Sequence, residues 1–335
     1  MDEICVSVSC LAYNHEKYIR SALEGFISQK TKFKYEVIIH DDASTDKTAD
    51  IIKEYEKKYP DIIKPIYQKE NQYSKGINIF NQYIYPKTRG KYIAYCEGDD
   101  FWTDNYKLQK QFDFLEKHPE SSICVHRVNC LNEDGSPNNR TIPEKEYGIN
   151  KDAILSQKDL CELYWLKGGY PFHTSSYMIK KEVLLKYPGF KRDKGILFKG
   201  LLDGDALYID TPMSARRLMT VGNFNSRLKA DGNKGMVKLC LQDLENESTL
   251  KKYSNCKFDD YIKYGMFNKI MYISSFDPEL SKELLKKYDL CFRKSTRIIS
   301  GNKKIKLWIK YILFVSVPEK VYIKINSLHK KLKEV

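Results

Sequence analysis

Long apolar runs are the first thing missing from this 335-residue chain. The best stretch, Ile305 to Val317, is interrupted by Lys306 and Lys310, and none reaches the roughly 18 apolar residues that a membrane-spanning helix needs. Paired cysteines are missing too. The nine cysteines, among them Cys5, Cys10, Cys96, Cys124 and Cys130, are scattered without CxxC spacing or a histidine partner. Several sit inside apolar runs, as small core residues of a reduced compartment do. Met1-Asp2-Glu3 leads directly into an apolar segment with no basic n-region, so a cytoplasmic location is expected. A Gly-Lys-Thr phosphate loop, a dinucleotide GxGxxG after a strand, and Ser-His-Asp or Cys-His sets at workable spacing are also absent. Kinase and hydrolase readings therefore lack their residues.

Negative charge is in short supply overall, and the net charge is +13. Residues 301–335 hold nine lysines against Glu319 and Glu334, about half of that excess. The remainder is nearer balance, and its acids are not spread evenly. Glu97-Gly98-Asp99-Asp100 follows the apolar run Lys91 to Cys96, and Asp41-Asp42 closes the run Tyr35 to Ile39. Adjacent carboxylates at a sheet edge stay ionised only with positive charge beside them, most simply a divalent cation. Strand ends are also where open α/β sheets bind ligands. The pattern points to an enzyme that handles a nucleotide diphosphate.

Strands are expected at Cys5 to Leu11, Tyr35 to Ile39, Ile62 to Tyr67, Lys91 to Cys96 and Ile123 to Val128. Helical spacing lies between them, in Ile19, Ala22, Leu23, Phe26 and Ile27, then in Ile51, Ile52, Tyr55 and Tyr59 before Pro60, and later in Leu108, Phe112 and Leu115. This alternation predicts a Rossmann-like, doubly wound, mostly parallel α/β sheet. Asn132 to Asn139 reads as a hairpin tip. Further on, a helix near Leu160 to Leu166, a strand at Ser175 to Ile179 and a helix beginning just after Asp203-Gly204 are expected. A catalytic domain over 1–236 and a helical accessory region over 237–335 follow.

Three segments carry a resemblance: Val6-Ser7-Val8-Ser9-Cys10-Leu11-Ala12-Tyr13-Asn14, Asp41-Asp42-Ala43-Ser44-Thr45-Asp46 and Glu97-Gly98-Asp99-Asp100-Phe101-Trp102. In this order, all at predicted strand ends, they resemble glycosyltransferase family 2, whose members have the GT-A fold. The resemblance spans roughly residues 4 to 235 and is strongest to about residue 128. It implies an inverting, metal-dependent transferase that moves a sugar from a nucleotide-diphosphate sugar, a UDP-sugar first, to a saccharide or lipid-linked saccharide in surface-polysaccharide synthesis. It places Leu11, Ala12, Tyr13 and Asn14 near the base and ribose, and Asp42 on the base. Asp99 then lies near the ribose or a metal-bound water, and Asp100 on Mn²⁺ or Mg²⁺. Trp102 and His173 are expected to line the sugar or acceptor pocket. Asp205 is expected to be the base, with Asp203 as its competitor. Arg227 is expected to hold the diphosphate, although the Ser226 to Gly232 loop lacks the histidine that many relatives have, and Lys229 or Lys234 is the substitute.

Two other readings stay open. A nucleotidyltransferase of the same fold would want a glycine-rich basic loop where Ala12-Tyr13-Asn14-His15 stands. A non-catalytic basic module would owe its charge to the lysine tail, yet no aromatic-basic RNA motif supports nucleic-acid binding. Lys303 to Lys333 interleaves Ile305, Leu307, Trp308, Ile309, Ile312, Leu313 and Phe314 with lysines, as a helix lying at an inner-membrane surface would. A terminal helix packed on its own domain fits the same text.

Overall fold

The computed structural model describes residues 3–167, 169–218 and 231–316, together with 322 and 326. The chain forms two compact units. One comprises Met1–Leu160 and Tyr170–Ser226, and the other Cys161–Gly169 and Arg227–Val335.

The first unit is built on strands β1 (Ile4–Ala12), β2 (Lys34–Asp41), β3 (Ile63–Tyr67), β4 (Tyr92–Tyr95), β5 (Phe101–Trp102), β6 (Ser121–Leu131), β7 (Pro137–Ile142), β8 (Ala153–Leu155), β9 (Met178–Lys180) and β10 (Asp205–Arg217). Their spatial order is β3-β2-β1-β4-β9-β6-β10-β5, with β7 on β6 and β8 on β10. β1 pairs in parallel with β2 and β4, and β6 with β10, while β9 runs antiparallel to both β4 and β6. The sheet is thus mixed rather than nearly all parallel. Because β9 reverses direction between them, β4 and β6 point the same way, and β1, β2, β4, β6 and β10 end at one edge. The order turns back at β1, between β2 and β4, which opens a crevice beyond their carboxyl ends.

Helices α1 (Ile19–Ile27), α2 (Thr48–Lys58) and α3 (Lys107–Lys117) bury the stripes that their spacing predicted, with Ile19, Leu23, Phe26, Ile52, Tyr55, Leu108 and Leu115 in the core. Short helices α4 (Gln157–Cys161) and α5 (Lys181–Lys186) follow, then α6 (Arg192–Asp203). The expected helix after Gly204 is the strand β10. Leu201-Leu202 ends α6, and Ala206 to Ile209 pairs with β6, an apolar text that suits helix and strand equally.

At the amino edge of the sheet, the buried Glu36 carboxylate accepts from Ser7 Oγ at 2.8 Å and from the Arg89 guanidinium at 2.9 and 2.7 Å. Gly90 then passes so close to β1 that a Cβ would stand 2.5 Å from Ser7 N.

In the second unit, α7 (Gly232–Tyr253), α8 (Asp259–Ile273), α9 (Pro278–Lys287), α10 (Phe292–Ser295) and α11 (Gly301–Ser316) pack around Leu244, Leu250, Ile262, Phe267 and Ile270. Within it, the buried Glu247 accepts from Trp165 Nε1 and Lys269 Nζ, each at 2.7 Å. Among the described residues, no helix is long and apolar enough to cross a membrane.

Gly90→Ala has no room to relax, because its neighbours are the backbone of a central strand. It is expected to lower stability by about 2–3 kcal/mol, in the range of overpacked cores. Urea unfolding followed by circular dichroism reads this, and an unchanged midpoint would contradict the close approach.

Candidate active site

Two backbone hydrogen bonds bring the three acidic and polar segments together. Asp42 N donates to Ala12 O and Gly98 N donates to Leu11 O, both at 2.9 Å. The ends of β2 and β4 are therefore fastened to the end of β1. Gly98 lets the strands approach closely, since a Cβ would meet the His15 and Ile19 side chains at 2.8 Å and push them aside.

The loops after β1 and β2 are laced by side chains. Thr45 N donates to Asn14 Oδ1 at 2.8 Å, and Asn14 N to Ser44 Oγ at 2.9 Å. His15 N donates to Thr48 Oγ1 at 2.7 Å and Glu16 N to Asp46 Oδ2 at 3.0 Å. Asn14 and Ala43 adopt positive φ of 56° and 61° to make this possible. The Asn14 side chain is thus a strut between loops, while Tyr13 beside it is exposed. Asp42 is also engaged: its Oδ1 accepts from Gln72 N at 2.7 Å and its Oδ2 from Tyr73 N at 3.1 Å. It anchors the loop after β3 and keeps only its remaining lone pairs for a ligand.

Glu97, Asp99 and Asp100 follow β4. Burial, then the charge of Asp99 and of Asp193, pushes the Glu97 carboxyl up to about 8. Asp100 is 3% exposed, and burial, then Asp99 and Glu97, raises it well above the usual carboxylate range. Opposing charge arrives from the end of β10. Arg217 N donates to Asp100 Oδ1 at 2.9 Å, and Arg217 Nη1 to Asp99 O at 2.8 Å. The Arg217 guanidinium lies 4.6 Å from the Phe101 ring centre, a cation–π contact. The Arg216 cation acts on Glu97 and Asp100 through space.

His173 is brought to this edge by the turn before β9. Its Nδ1 lies 3.6 Å from Asp100 Oδ2 and 3.0 Å from Ser175 Oγ. Burial, then the charge of Arg216, holds it well below the usual histidine range. Asp193, in the first turn of α6, lies 3.4 Å from Thr174 Oγ1, next to His173, and its charge reaches Glu97.

Three expectations are corrected. Trp102 is 4% exposed and belongs to the core, donating from Nε1 to Ser175 O at 3.2 Å and meeting Phe26 edge-on at 4.9 Å. It does not wall a pocket. Asp205 opens β10 and accepts from Gln157 N at 3.1 Å, at the amino ends of the parallel strands. Thirteen strand residues put it on the order of 30–40 Å from Arg217, so it cannot act at Asp100. Its competitor Asp203 shares that edge and is held by Lys186 at 2.6 Å and Tyr187 at 3.0 Å. Arg227 and Lys229 lie outside the described residues. None of Arg216, Arg217 and Asp193 is among the residues expected from sequence; for the two arginines the reason is that a helix, not a strand, is expected to begin after Gly204. The acid in a first helical turn before Ile196 and Leu197 was the available signal for Asp193.

Among the described residues, no three His, Cys, Asp or Glu side chains converge as a metal cage. The donor set fits a hard divalent ion that takes one or two carboxylates and completes its shell with diphosphate oxygens. The crowded charge of Glu97, Asp99 and Asp100 is what such an ion would relieve.

The family described as glycosyl transferase family 2 matches residues 7–179. An uncharacterised protein of Mycobacterium tuberculosis is 42% identical over 153 residues, 45% of this chain and 43% of that protein. The putative teichuronic acid biosynthesis glycosyltransferase TuaG of Bacillus subtilis is 30% identical over 149 residues, 44% of this chain and 56% of TuaG. The chain spans about half the length of the curated relatives it matches. Among solved structures, S. aureus TarS 1-349 in complex with UDP-GlcNAc aligns at a TM-score of 0.57 and 16% identity, covering 98% of this chain and 92% of that one. Two further neighbours were solved with Mn²⁺. The fold is therefore that of GT-A glycosyltransferases.

Asp42→Ala removes two hydrogen bonds to a charged acceptor, worth about 1.5–3 kcal/mol each. Amide exchange at Gln72 and Tyr73 is expected to accelerate at least about tenfold. Equal exchange rates in hydrogen–deuterium mass spectrometry would show that Asp42 does not hold this loop.

Proposed function

The chain belongs to glycosyltransferase family 2, and on that premise we propose that it moves a sugar from a UDP-sugar to a hydroxyl of a saccharide, with inversion at the anomeric carbon. The observation that carries this reading is the meeting of Asp99, Asp100, His173 and Arg216 beyond the ends of β1 and β4, a set of charges that an anionic nucleotide with a cation would complete. The complex of TarS with UDP-GlcNAc supports uridine as the nucleoside of the donor. The name of TuaG supports a polysaccharide such as teichuronic acid as the product, and that of Escherichia coli WfaP, which acts on alpha-D-GlcNAc-diphosphoundecaprenol, supports a lipid-linked saccharide as the acceptor.

Leu11, Ala12 and Tyr13 border the nucleoside, and Asp42 turns its free lone pairs to the uracil imide. Asp99 faces the ribose. Asp100, with His173 at its side, would hold Mn²⁺ or Mg²⁺, and the ion would supply positive charge to the departing diphosphate. Arg216 takes the role expected of Arg227 and pairs with the diphosphate oxygens. Asp193, rather than Asp205, accepts the proton of the attacking hydroxyl. It stands beside the His173 turn, on an element separate from the nucleotide loops, and a base must reach the sugar from the face opposite the leaving group. The hydroxyl oxygen then bonds to the anomeric carbon as the bond to the diphosphate breaks. The proton passes to the Asp193 carboxylate and the electron pair leaves with UDP.

Calorimetric titration of UDP, GDP and dTDP with and without Mn²⁺ tests the donor site. UDP is expected to bind in the presence of metal, and Asp100→Ala to abolish that dependence; no binding of any nucleotide would overturn the reading. Arg216→Ala is expected to weaken UDP binding roughly tenfold, the loss of about one charge-assisted contact. For the base, Asp193→Asn should cut kcat by about 10²- to 10⁴-fold with KM little changed, while Asp205→Asn keeps wild-type turnover. The reverse pattern would return the role to Asp205.

A further inference from the structure

Helix α11 turns two apolar faces outward from its axis, and only one of them is used. Leu307 and Phe314 are buried, and Tyr311 stacks on Phe292 at 5.8 Å and meets Phe267 at 5.7 Å. The opposite face carries Ile305, Trp308, Ile309, Ile312 and Val315, which are 55, 48, 47, 37 and 52% exposed. At about 100° per residue these five fall within a stripe about 120° wide. Of the other tryptophans, Trp102 and Trp165 are buried, so Trp308 is the one displayed.

The charge beside this stripe has one sign. Lys306 flanks one border and Lys304 the other, with Lys303 and Lys310 further round, and Gly301–Ser316 contains no acidic residue. A hollow of about 280 Å³ opens beside the stripe, lined by Phe292, Gly301, Lys304, Ile305 and Trp308. The second basic stretch after Pro318 lies outside the described residues; in sequence, positions 317–335 add five lysines against two glutamates.

We infer that the outer face of α11 docks this protein on an anionic lipid bilayer. An apolar stripe bordered by lysines on both sides, with a tryptophan among the aliphatic residues, is the arrangement of a helix lying in the plane of a membrane interface. The aliphatic side chains enter the acyl boundary, the indole sits at the headgroup level, and the lysines pair with lipid phosphates. A second protein copy would cover the apolar stripe, but the same helix of that copy has no acid to meet Lys304 and Lys306, so the charge favours lipid. None of this depends on the chemistry at Asp100, and a lipid-linked acceptor would be met at the same surface.

Sedimentation of the full chain with phosphatidylcholine vesicles, with and without phosphatidylglycerol, tests the proposal. Binding is expected only to the vesicles holding phosphatidylglycerol, to weaken with salt, and to shift Trp308 emission to the blue. Lys304→Ala and Lys306→Ala should each lower partitioning about fivefold, and Ile309→Glu with Ile312→Glu should abolish it while leaving UDP titration unchanged. The fold of these variants is checked by circular dichroism, as all four positions are on the surface of the helix. No partitioning of the wild-type chain at low salt, or full binding by the double glutamate variant, would overturn the proposal. So would a dimer, seen by light scattering, that the double variant dissolves while vesicles fail to bind.

Discussion

Three carboxylates within four residues of chain, at the buried end of a central strand, repel one another, and the rest of the site is arranged around that repulsion. Burial, then the charge of Asp99, pushes both Glu97 and Asp100 toward their neutral forms, with Asp193 adding to the first and Glu97 to the second. Protein groups relieve only part of this. The Arg217 main-chain N–H and the Arg216 cation reach Asp100 from β10, a strand more than a hundred residues further along the chain. β10 is in place because β9 enters the sheet antiparallel between β4 and β6, which lets β6 and β10 run beside the first half of the sheet in the same sense. A divalent cation would relieve the crowding that remains, as the proposed donor site requires.

The loops around this charge are held rigid by polar side chains that look, in isolation, like ligand contacts. Asn14, Ser44, Asp46 and Thr48 spend their hydrogen bonds on one another's loops, and Asp42 fixes the backbone at Gln72 and Tyr73. A loop anchored in this way presents main-chain atoms at fixed positions, at little entropic cost when a ligand arrives. The acidic and polar motif residues thus divide into those that build the rim and those left to face the crevice. The two backbone bonds from Asp42 and Gly98 to β1 are what join the pieces.

The helical unit solves a different problem. Its helices bury Glu247 with Lys269 and Trp165, and α11 uses Leu307, Tyr311 and Phe314 to join them. The other apolar stripe of α11 stays about half exposed. Lysines line its borders, and the helix itself carries no acid.

Much of this was readable from the chain. The ends of β1, β2 and β4 and the stripes of α1, α2 and α3 follow from local periodicity, because a buried strand and an amphipathic helix are each written in a handful of neighbouring residues. Asp99, Asp100 and His173 were named from motif resemblance, and the structure sets His173 Nδ1 3.6 Å from Asp100 Oδ2 because both segments adjoin strand ends that periodicity marks. What local text cannot carry is direction and pairing. Leu201 to Ile209 is apolar enough for a helix or a strand, and only partnership with β6 made its second half β10, sending Asp205 to the far edge and Arg216 to the near one. Trp102 reads as an aromatic beside a metal motif, and only the approach of Phe26 and Ser175 buries it. Asp193 became a candidate when α6 was set against the His173 turn. The sequence alone determined which residues carry charge and where strands stop; the tertiary structure decided which of those charges meet, since strand order and direction depend on contacts between residues far apart in the chain.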